Sequence, residues 1–139
     1  MITVKPVKDV NWDDLDRLED RTLFQTLPWL DFISETQKAR PVILRLESMG
    51  RTAGYFSGFV VRKFGFKILG SPFKGWTTES LGFNLASGVS PIEALDAVAS
   101  FAFTRLGCRH LELLTRRLCQ KIWAAHPMPC FGPSPLWLT

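Results

Sequence analysis

The part of the sequence best suited to ligand binding is residues 70–84, which combine glycines, hydroxyls, a lysine and two large aromatics. Glycines let the backbone approach a ligand closely, and the rings of Trp76 and Phe83 suit stacking on a sugar or a base. Further polar groups come from Ser71, Lys74, Thr77, Thr78 and Asn84. A structural loop, whose aromatics seal the edge of the core while its glycines turn the chain, explains the same composition.

Glu79 is the only carboxylate in this stretch and is therefore the candidate general base toward an amine or hydroxyl. A single carboxylate without an identifiable partner is more typical of a solvated surface residue. The histidines His110 and His126 lie on a predicted strand and at a predicted helix end, where surface or dipole-stabilising roles are ordinary. Local spacing builds no Ser-His-Asp or Cys-His arrangement.

Two residues before the first hairpin are also candidates for substrate binding. Gln25 precedes a predicted helix, where its amide either reaches a cleft or bonds a turn carbonyl. Trp29 lies on the apolar stripe of that helix, and core packing is the alternative to a binding role.

The cysteines Cys108, Cys119 and Cys130 are an odd set without close pairs, which favours free thiols over disulfides. A zinc site built from Cys119, His126 and Cys130 would need His110 as fourth ligand, and its spacing matches no familiar zinc module. We therefore predict no metal.

Three cations, Arg62, Lys63 and Lys67, surround a predicted hairpin turn and form either an anion patch or a guard against edge-to-edge aggregation. The net charge of +4 is mildly favourable to anionic ligands. Because the basic residues form no run or stripe, nucleic-acid binding is not favoured.

The periodicity predicts the elements that would position these residues. Strands are expected at 2–7, 42–47, 52–63, 66–69 and 108–114, and helices at 12–20, 27–38, 91–106 and 116–125. Turns at 48–50 and 64–65 make the central strands an antiparallel meander, and Gly54 and Gly58 indicate a bulge or a close backbone approach. Ser90, Pro91 and Glu93 predict a capped helix start.

The chain of 139 residues is the size of one domain, without an apolar run long enough to span a membrane or a signal-peptide pattern. We expect a cytoplasmic α/β (α+β) domain over residues 1–126, with a mostly antiparallel sheet flanked by helices and incomplete at its C-terminal side. Residues 127–139 form a proline-rich tail that either packs over the domain through Phe131, Leu136 and Trp137 or is a truncated end.

Three short segments carry a resemblance to a known family. Phe24-Gln25-Thr26-Leu27-Pro28-Trp29 resembles the FQ-T-x-x-W opening of FemAB-like acyltransferases of the GNAT superfamily. Arg51-Thr52-Ala53-Gly54-Tyr55 resembles their turn into the long strand, and residues 70–76 their loop after the meander. The element order of residues 1–115 is also similar to the front of the GNAT fold.

The resemblance implies the acceptor-side domain of an N- or O-acyltransferase that transfers an acyl or aminoacyl group to a cell-envelope or polysaccharide precursor. Such enzymes pair two GNAT-like domains, and the second holds most of the acyl donor, for instance acetyl-CoA. This chain lacks the family's Arg/Gln-x-x-Gly-x-Gly/Ala phosphate loop, so we expect little activity from it alone, and either a partner domain or self-association. The alternative is a degenerate GNAT-like module that binds a protein or an anionic ligand without catalysis.

Overall fold

The computed structural model describes residues 1–8, 12–18, 23–73, 76, 81–113 and 136–138, which form an α+β fold around one mostly antiparallel sheet. The predicted α+β class with a mostly antiparallel sheet is confirmed. Within the described residues the elements follow in the order β1 (Ile2–Pro6), α1 (Trp12–Asp16), a 3-10 turn (Leu23–Gln25), α2 (Leu27–Gln37), β2 (Arg40–Ser48), β3 (Arg51–Lys63), β4 (Phe66–Ser71), β5 (Gly82–Leu85), α3 (Pro91–Thr104), β6 (His110–Leu113) and β7 (Leu136–Leu138).

The sheet is organised around the long strand β3. Strand β2 pairs with one edge of β3 along nearly its whole length, while the other edge is shared by two strands. Residues 54–57 of β3 pair with β5, and residues 59–63 pair with β4. The order is β1-β2-β3-β4-β6-β7 with β5 beside β3, and among the described pairings only β4 with β6 is parallel. The predicted β2-β3-β4 meander is thus confirmed.

Both turns of the meander have the same backbone form. Met49 and Gly50 have φ values of 51° and 73°, and Phe64 and Gly65 have 52° and 78°. Two successive positive φ values define the type I′ turn, whose twist matches that of the flanking strands. Both turns lie where the sequence predicts them.

The glycines of β3 mark the close approach that the sequence predicts. A Cβ atom on Gly54 would collide with the backbone carbonyl oxygen of Asn84 on β5, and one on Gly58 would lie 2.9 Å from the carbonyl oxygen of Gly70. The register between β2 and β3 shifts beside Gly54, so that Ala53 is the extra residue of a β-bulge. Strand β5 can therefore lie against β3 only because position 54 has no side chain.

Helices cover both faces of the sheet. Helix α3 buries Leu95, Val98 and Ala102 against strand residues that include Leu44 and Leu111. On the opposite face α2 buries Leu30 and Ile33 against a second cluster, whose other buried members are Ala39, Phe59, Phe73 and Leu81. Helical spacing of the apolar residues in α3 and α2 accounts for these two buried stripes.

Several predicted boundaries need correction. Residues 70–84 are not irregular throughout, because β4 continues to Ser71 and β5 occupies Gly82–Leu85. The physical reason lies in β3: its residues 54–57 extend beyond β4, and their backbone groups find partners in β5.

Helix α3 ends at Thr104 instead of 106, and β6 begins at His110 instead of 108. The Cys108 amide still donates to the carbonyl oxygen of Ala102 at 2.9 Å, so residue 108 belongs to the helix end. Helix α1 ends at Asp16, short of the predicted residue 20.

In the tail, residues 136–138 form β7 and pair antiparallel with β6. Phe131 and the predicted helix at 116–125 lie outside the described residues. No helix in the described part of the chain is long and apolar enough to cross a membrane.

Candidate functional site

A row of polar side chains crosses the sheet on the face that α2 covers. Lys5 on β1 lies opposite Arg45 on β2, Arg45 opposite Tyr55 on β3, and Tyr55 opposite Asn84 on β5. Directly paired residues project to the same face, so these four form one transverse polar row. Phe59 lies four residues after Tyr55 and belongs to the cluster under α2, which identifies the face.

At one end of the polar row, Asn84 and Gln25 form a buried amide pair. The Nδ2 of Asn84 donates to Oε1 of Gln25 at 3.1 Å, and the two residues are 0% and 2% exposed. The 3-10 turn that follows α1 brings Gln25 to this position. Both residues are among those predicted from the sequence, and the fold brings them together from positions 59 residues apart.

The carbonyl oxygen of the Asn84 side chain is the most unusual atom of the site. Asn84 Oδ1 is buried and accepts no hydrogen bond. An unsatisfied buried acceptor costs about 1–3 kcal/mol, so such groups are uncommon in folded proteins unless they have another role. As an amide oxygen, this atom can act only as a hydrogen-bond acceptor.

At the other end of the row lies a cluster of charges. Arg45 Nη2 lies 2.6 Å from Glu47 Oε1, and Lys5 Nζ lies 2.7 Å from Glu47 Oε2. The hydrogen bond from Lys5, reinforced by Arg45 against a partial desolvation of the carboxylate, lowers the pKa of Glu47 below 4.5. The Nε of Arg45 is buried without a partner, so the row contains both an unpaired donor and an unpaired acceptor.

Tyr55, the only tyrosine of the chain, lies between these two unpaired atoms. Burial raises the pKa of its phenol, the carboxylate of Asp14 raises it further, and Arg45 acts in the opposite direction. The phenol therefore stays protonated at neutral pH, where its oxygen can both donate and accept hydrogen bonds.

The predicted aromatic residues Trp76 and Trp29 pack at the margin of the cluster under α2. The Trp76 ring centroid lies 4.9 Å from that of Phe73 and 5.6 Å from that of Phe59. Trp29 lies 5.1 Å from Phe24 in an edge-to-face arrangement. Both tryptophans are half-buried, so each combines a packing role with a partly accessible surface.

The other predicted residues do not gather around the amide pair. Phe83 projects to the α3 face, where its ring lies 4.9 Å from that of Phe56. Ser71 is buried, and its hydroxyl donates to the backbone carbonyl of Ser57. Lys74, Thr77, Thr78 and Glu79 lie outside the described residues, and their predicted roles stay predictions.

The start of α3 has few free backbone N–H groups. Ser90 Oγ accepts the backbone N–H of Glu93 at 3.4 Å, which confirms that half of the predicted capping box. Pro91 at the first helical position has no N–H to offer. A helix N-terminus binds phosphate through the backbone N–H groups of its first turn, which have no partner within the helix. In α3 the N–H group of residue 91 is absent, and that of Glu93 is already bonded to Ser90.

The described residues contain no group of three or more His, Cys, Asp or Glu side chains that could hold a metal ion. Cys108 is buried under α3. This burial raises the pKa of its thiol, and the smaller opposing effects of Lys67 and Arg40 do not cancel the increase. Cys119, His126 and Cys130 lie outside the described part of the chain.

Sequence reasoning missed Arg45 and Tyr55 as members of a site. The available signal was the alternation in β2, where Arg45 and Glu47 interleave with Leu44 and Leu46 and must share one face. The register that adds Tyr55 and Asn84 to that face depends on the Ala53 bulge. A bulge changes the alternation in a way that composition does not reveal.

The site as a whole presents a cation, a phenol and a buried amide along one row, with aromatic surface farther along the same face. The phenol and the amide are neutral hydrogen-bonding groups, which suit binding and orientation of a polar molecule better than proton transfer. Comparison of the chain with protein-family models, with curated proteins and with solved structures gives no match.

Proposed function

We propose that the chain is the acceptor-side domain of a FemAB/GNAT-type acyltransferase. In this function the domain binds an amine or hydroxyl of a cell-envelope or polysaccharide precursor and orients it toward an acyl or aminoacyl donor. The FQ-T-x-x-W resemblance of residues 24–29 and the order of the described helices and strands support the assignment.

The observation that carries the proposal is the unpaired Oδ1 of Asn84. An acceptor amine or hydroxyl is a hydrogen-bond donor, and it satisfies this buried oxygen when it binds. The bond also fixes the direction of the nucleophile's lone pair, which is the main contribution an orienting domain makes to the rate. Gln25 holds the Asn84 amide in place through Nδ2 and so leaves Oδ1 for the acceptor.

The spacing of the polar row and the aromatic cluster suggests the shape of the acceptor. Tyr55 and Phe59 lie on one face of β3, about 13 Å apart at the rise of an extended strand. Asn84 lies beside Tyr55, and Trp76 packs against Phe59. An elongated acceptor that reaches both the amide and a tryptophan fits this spacing better than a compact one.

In the proposed enzyme the acyl donor is held by a second GNAT-like domain or by another copy of the chain. The start of α3, where Ser90 and Pro91 leave few free donors, supports this division of labour. The same feature favours the second candidate function, a non-enzymatic module that binds a protein or an anionic ligand. The two candidates differ in whether an amine acceptor binds at Asn84.

Calorimetric titration of the purified chain separates these candidates. We expect glucosamine to bind and the Asn84→Ala variant to weaken that binding by about tenfold, the value of one buried hydrogen bond. Cys108→Ala serves as control, because it changes a buried side chain in the cluster on the opposite face of the sheet. Acetyl-CoA should not bind up to millimolar concentration. Micromolar binding of acetyl-CoA, or glucosamine binding that survives Asn84→Ala unchanged, would refute the proposal.

A further inference from the structure

The turn between β3 and β4 exposes two phenylalanine rings. Phe64 is 97% exposed and Phe66 is 51% exposed. Phe64 also has a φ of 52°, in the left-handed region that type I′ turns normally fill with Asn, Asp or Gly. Both the exposed ring and the strained backbone are avoidable by a single substitution to asparagine. Fold stability therefore does not explain why a phenylalanine occupies this position.

The surroundings of these rings are basic. Arg62 and Lys63 precede the turn and Lys67 follows it. The turn before β6 lies against the hairpin, since the Arg109 amide donates to the Lys67 carbonyl oxygen at 2.9 Å. The Arg109 guanidinium lies 5.9 Å from the centroid of the Phe66 ring.

The two chain segments that form this basic surface contain no acidic residue that would offset its positive charge. The sequence has no Asp or Glu between Glu47 and Glu79, nor between Asp96 and Glu112. The end of the hairpin and the turn beside it therefore contribute cations and aromatic rings but no carboxylate. The Lys67 ammonium also donates to the Leu106 carbonyl oxygen at 3.4 Å, which holds the two turns together. Such a surface is complementary to one that is both anionic and accessible to apolar side chains.

We propose that this aromatic-basic tip, made of Arg62, Lys63, Phe64, Phe66, Lys67 and Arg109, docks on the surface of a membrane that contains anionic lipids. The phenyl rings enter the boundary between headgroups and acyl chains, and the basic side chains lie at the level of the phosphates. This interaction is independent of the acceptor site at Asn84 and goes beyond the proposed transferase function.

The shape of the tip favours a lipid surface over a protein partner. A stable protein interface buries at least about 1,000 Å² and surrounds its apolar anchors with complementary surface. A two-residue turn is convex, and the Phe64 ring is almost completely exposed. A fluid lipid surface closes around such a ring without a preformed pocket, and its phosphates meet the cations on every side.

The two type I′ turns provide a matched experiment. Met49 has the same turn position as Phe64, an almost identical φ of 51° and the same 97% exposure. It lies beyond the opposite end of β3, a strand about 40 Å long at the rise of an extended chain. Phe64→Asn and Met49→Asn therefore make the same backbone and polarity change inside and outside the tip.

Binding is measured by co-sedimentation with vesicles of phosphatidylcholine, with and without phosphatidylserine. We expect binding to phosphatidylserine vesicles that weakens with salt, falls about tenfold in Phe64→Asn and does not change in Met49→Asn. Lys63→Gln should lower it about fivefold. Thermal unfolding checks the fold: since asparagine tolerates the left-handed turn, Phe64→Asn should keep or raise the melting temperature.

Three results would overturn the proposal. The first is no binding to phosphatidylserine vesicles, and the second is an equal loss of binding in Phe64→Asn and Met49→Asn. The third is binding of poly-glutamate or of an RNA oligonucleotide that Phe64→Asn leaves unchanged, which would make the tip a general polyanion site.

Discussion

Replacement of Gln25 by alanine tests the amide pair most severely. Asn84 donates its described hydrogen bond to Gln25, and its Oδ1 is already unpaired. Gln25→Ala therefore leaves both amide atoms of a fully buried side chain without a partner. The added unsatisfied donor costs about 1–2 kcal/mol. The loss of one buried methylene group, together with the cavity that the carboxamide leaves, costs about 1–2 kcal/mol more. We expect Gln25→Ala to destabilise the fold by about 3 kcal/mol.

Asn84→Ala should behave differently although it breaks the same hydrogen bond. The substitution loses a bond worth about 1 kcal/mol and removes the unpaired Oδ1, whose burial costs a similar amount or more. With a small cavity included, the net change should be no more than about 1 kcal/mol. In the Gln25→Ala background, Asn84→Ala removes two unpaired atoms and should restore about 1–2 kcal/mol.

The assay is urea unfolding of the wild type, the two single variants and the double variant, followed by circular dichroism. A loss of 3 kcal/mol corresponds to roughly 10 °C in melting temperature for a domain of this size, so the difference is easily resolved. We expect the double variant to be more stable than Gln25→Ala. A double variant that is less stable than either single variant would refute it, because Asn84 would then be a well-satisfied structural residue.

Two further predictions concern the sheet that carries the site. Gly54→Ala should destabilise the fold by more than 2 kcal/mol, roughly twice the cost of Gly50→Ala. The reason is that an added Cβ atom would collide with the Asn84 backbone at position 54, whereas it would meet open space at position 50. Equal melting temperatures of the two variants would contradict this prediction. Because the pKa of Glu47 is lowered in the fold, chiefly by Lys5, its contribution is complete above pH 4.5 and is lost as the pH falls through the folded-state pKa. The free energy of unfolding should thus fall less steeply below pH 4.5 in Glu47→Gln than in the wild type. An equally steep fall in both proteins would contradict a stabilising role of the two ion pairs.

The sequence predicts the meander, both hairpin turns and the capped start of α3, because each has a local physical cause. Alternation of apolar residues defines a strand, and Ser90 followed by Pro91 defines a helix start, whatever the rest of the chain does. The sequence does not predict strand β5, because no local pattern specifies it. Residues 82–85 are extended because they supply the hydrogen-bond partners of residues 54–57 of β3. A segment so rich in glycine gives no periodic signal of its own.

The candidate site shows the same division between local and long-range causes. Gln25 and Asn84 are recognisable as polar residues in apolar surroundings, but their pairing depends on a contact across 59 residues. Phe83 and Asn84 looked like members of one site because they are adjacent in sequence. On a strand, adjacency places two side chains on opposite faces, and the fold separates them.

The most direct test of the acceptor site is a two-dimensional ¹⁵N–¹H spectrum of the labelled chain during titration with glucosamine. The side-chain amide of Asn84 gives a resolved pair of signals, which the Asn84→Ala variant assigns. We expect these signals and those of the Gln25 amide to shift together and to saturate, since the acceptor bonds to Oδ1 of the same amide. Saturable shifts elsewhere on the domain with the Asn84 signals unmoved would contradict the assignment of an acceptor to this site.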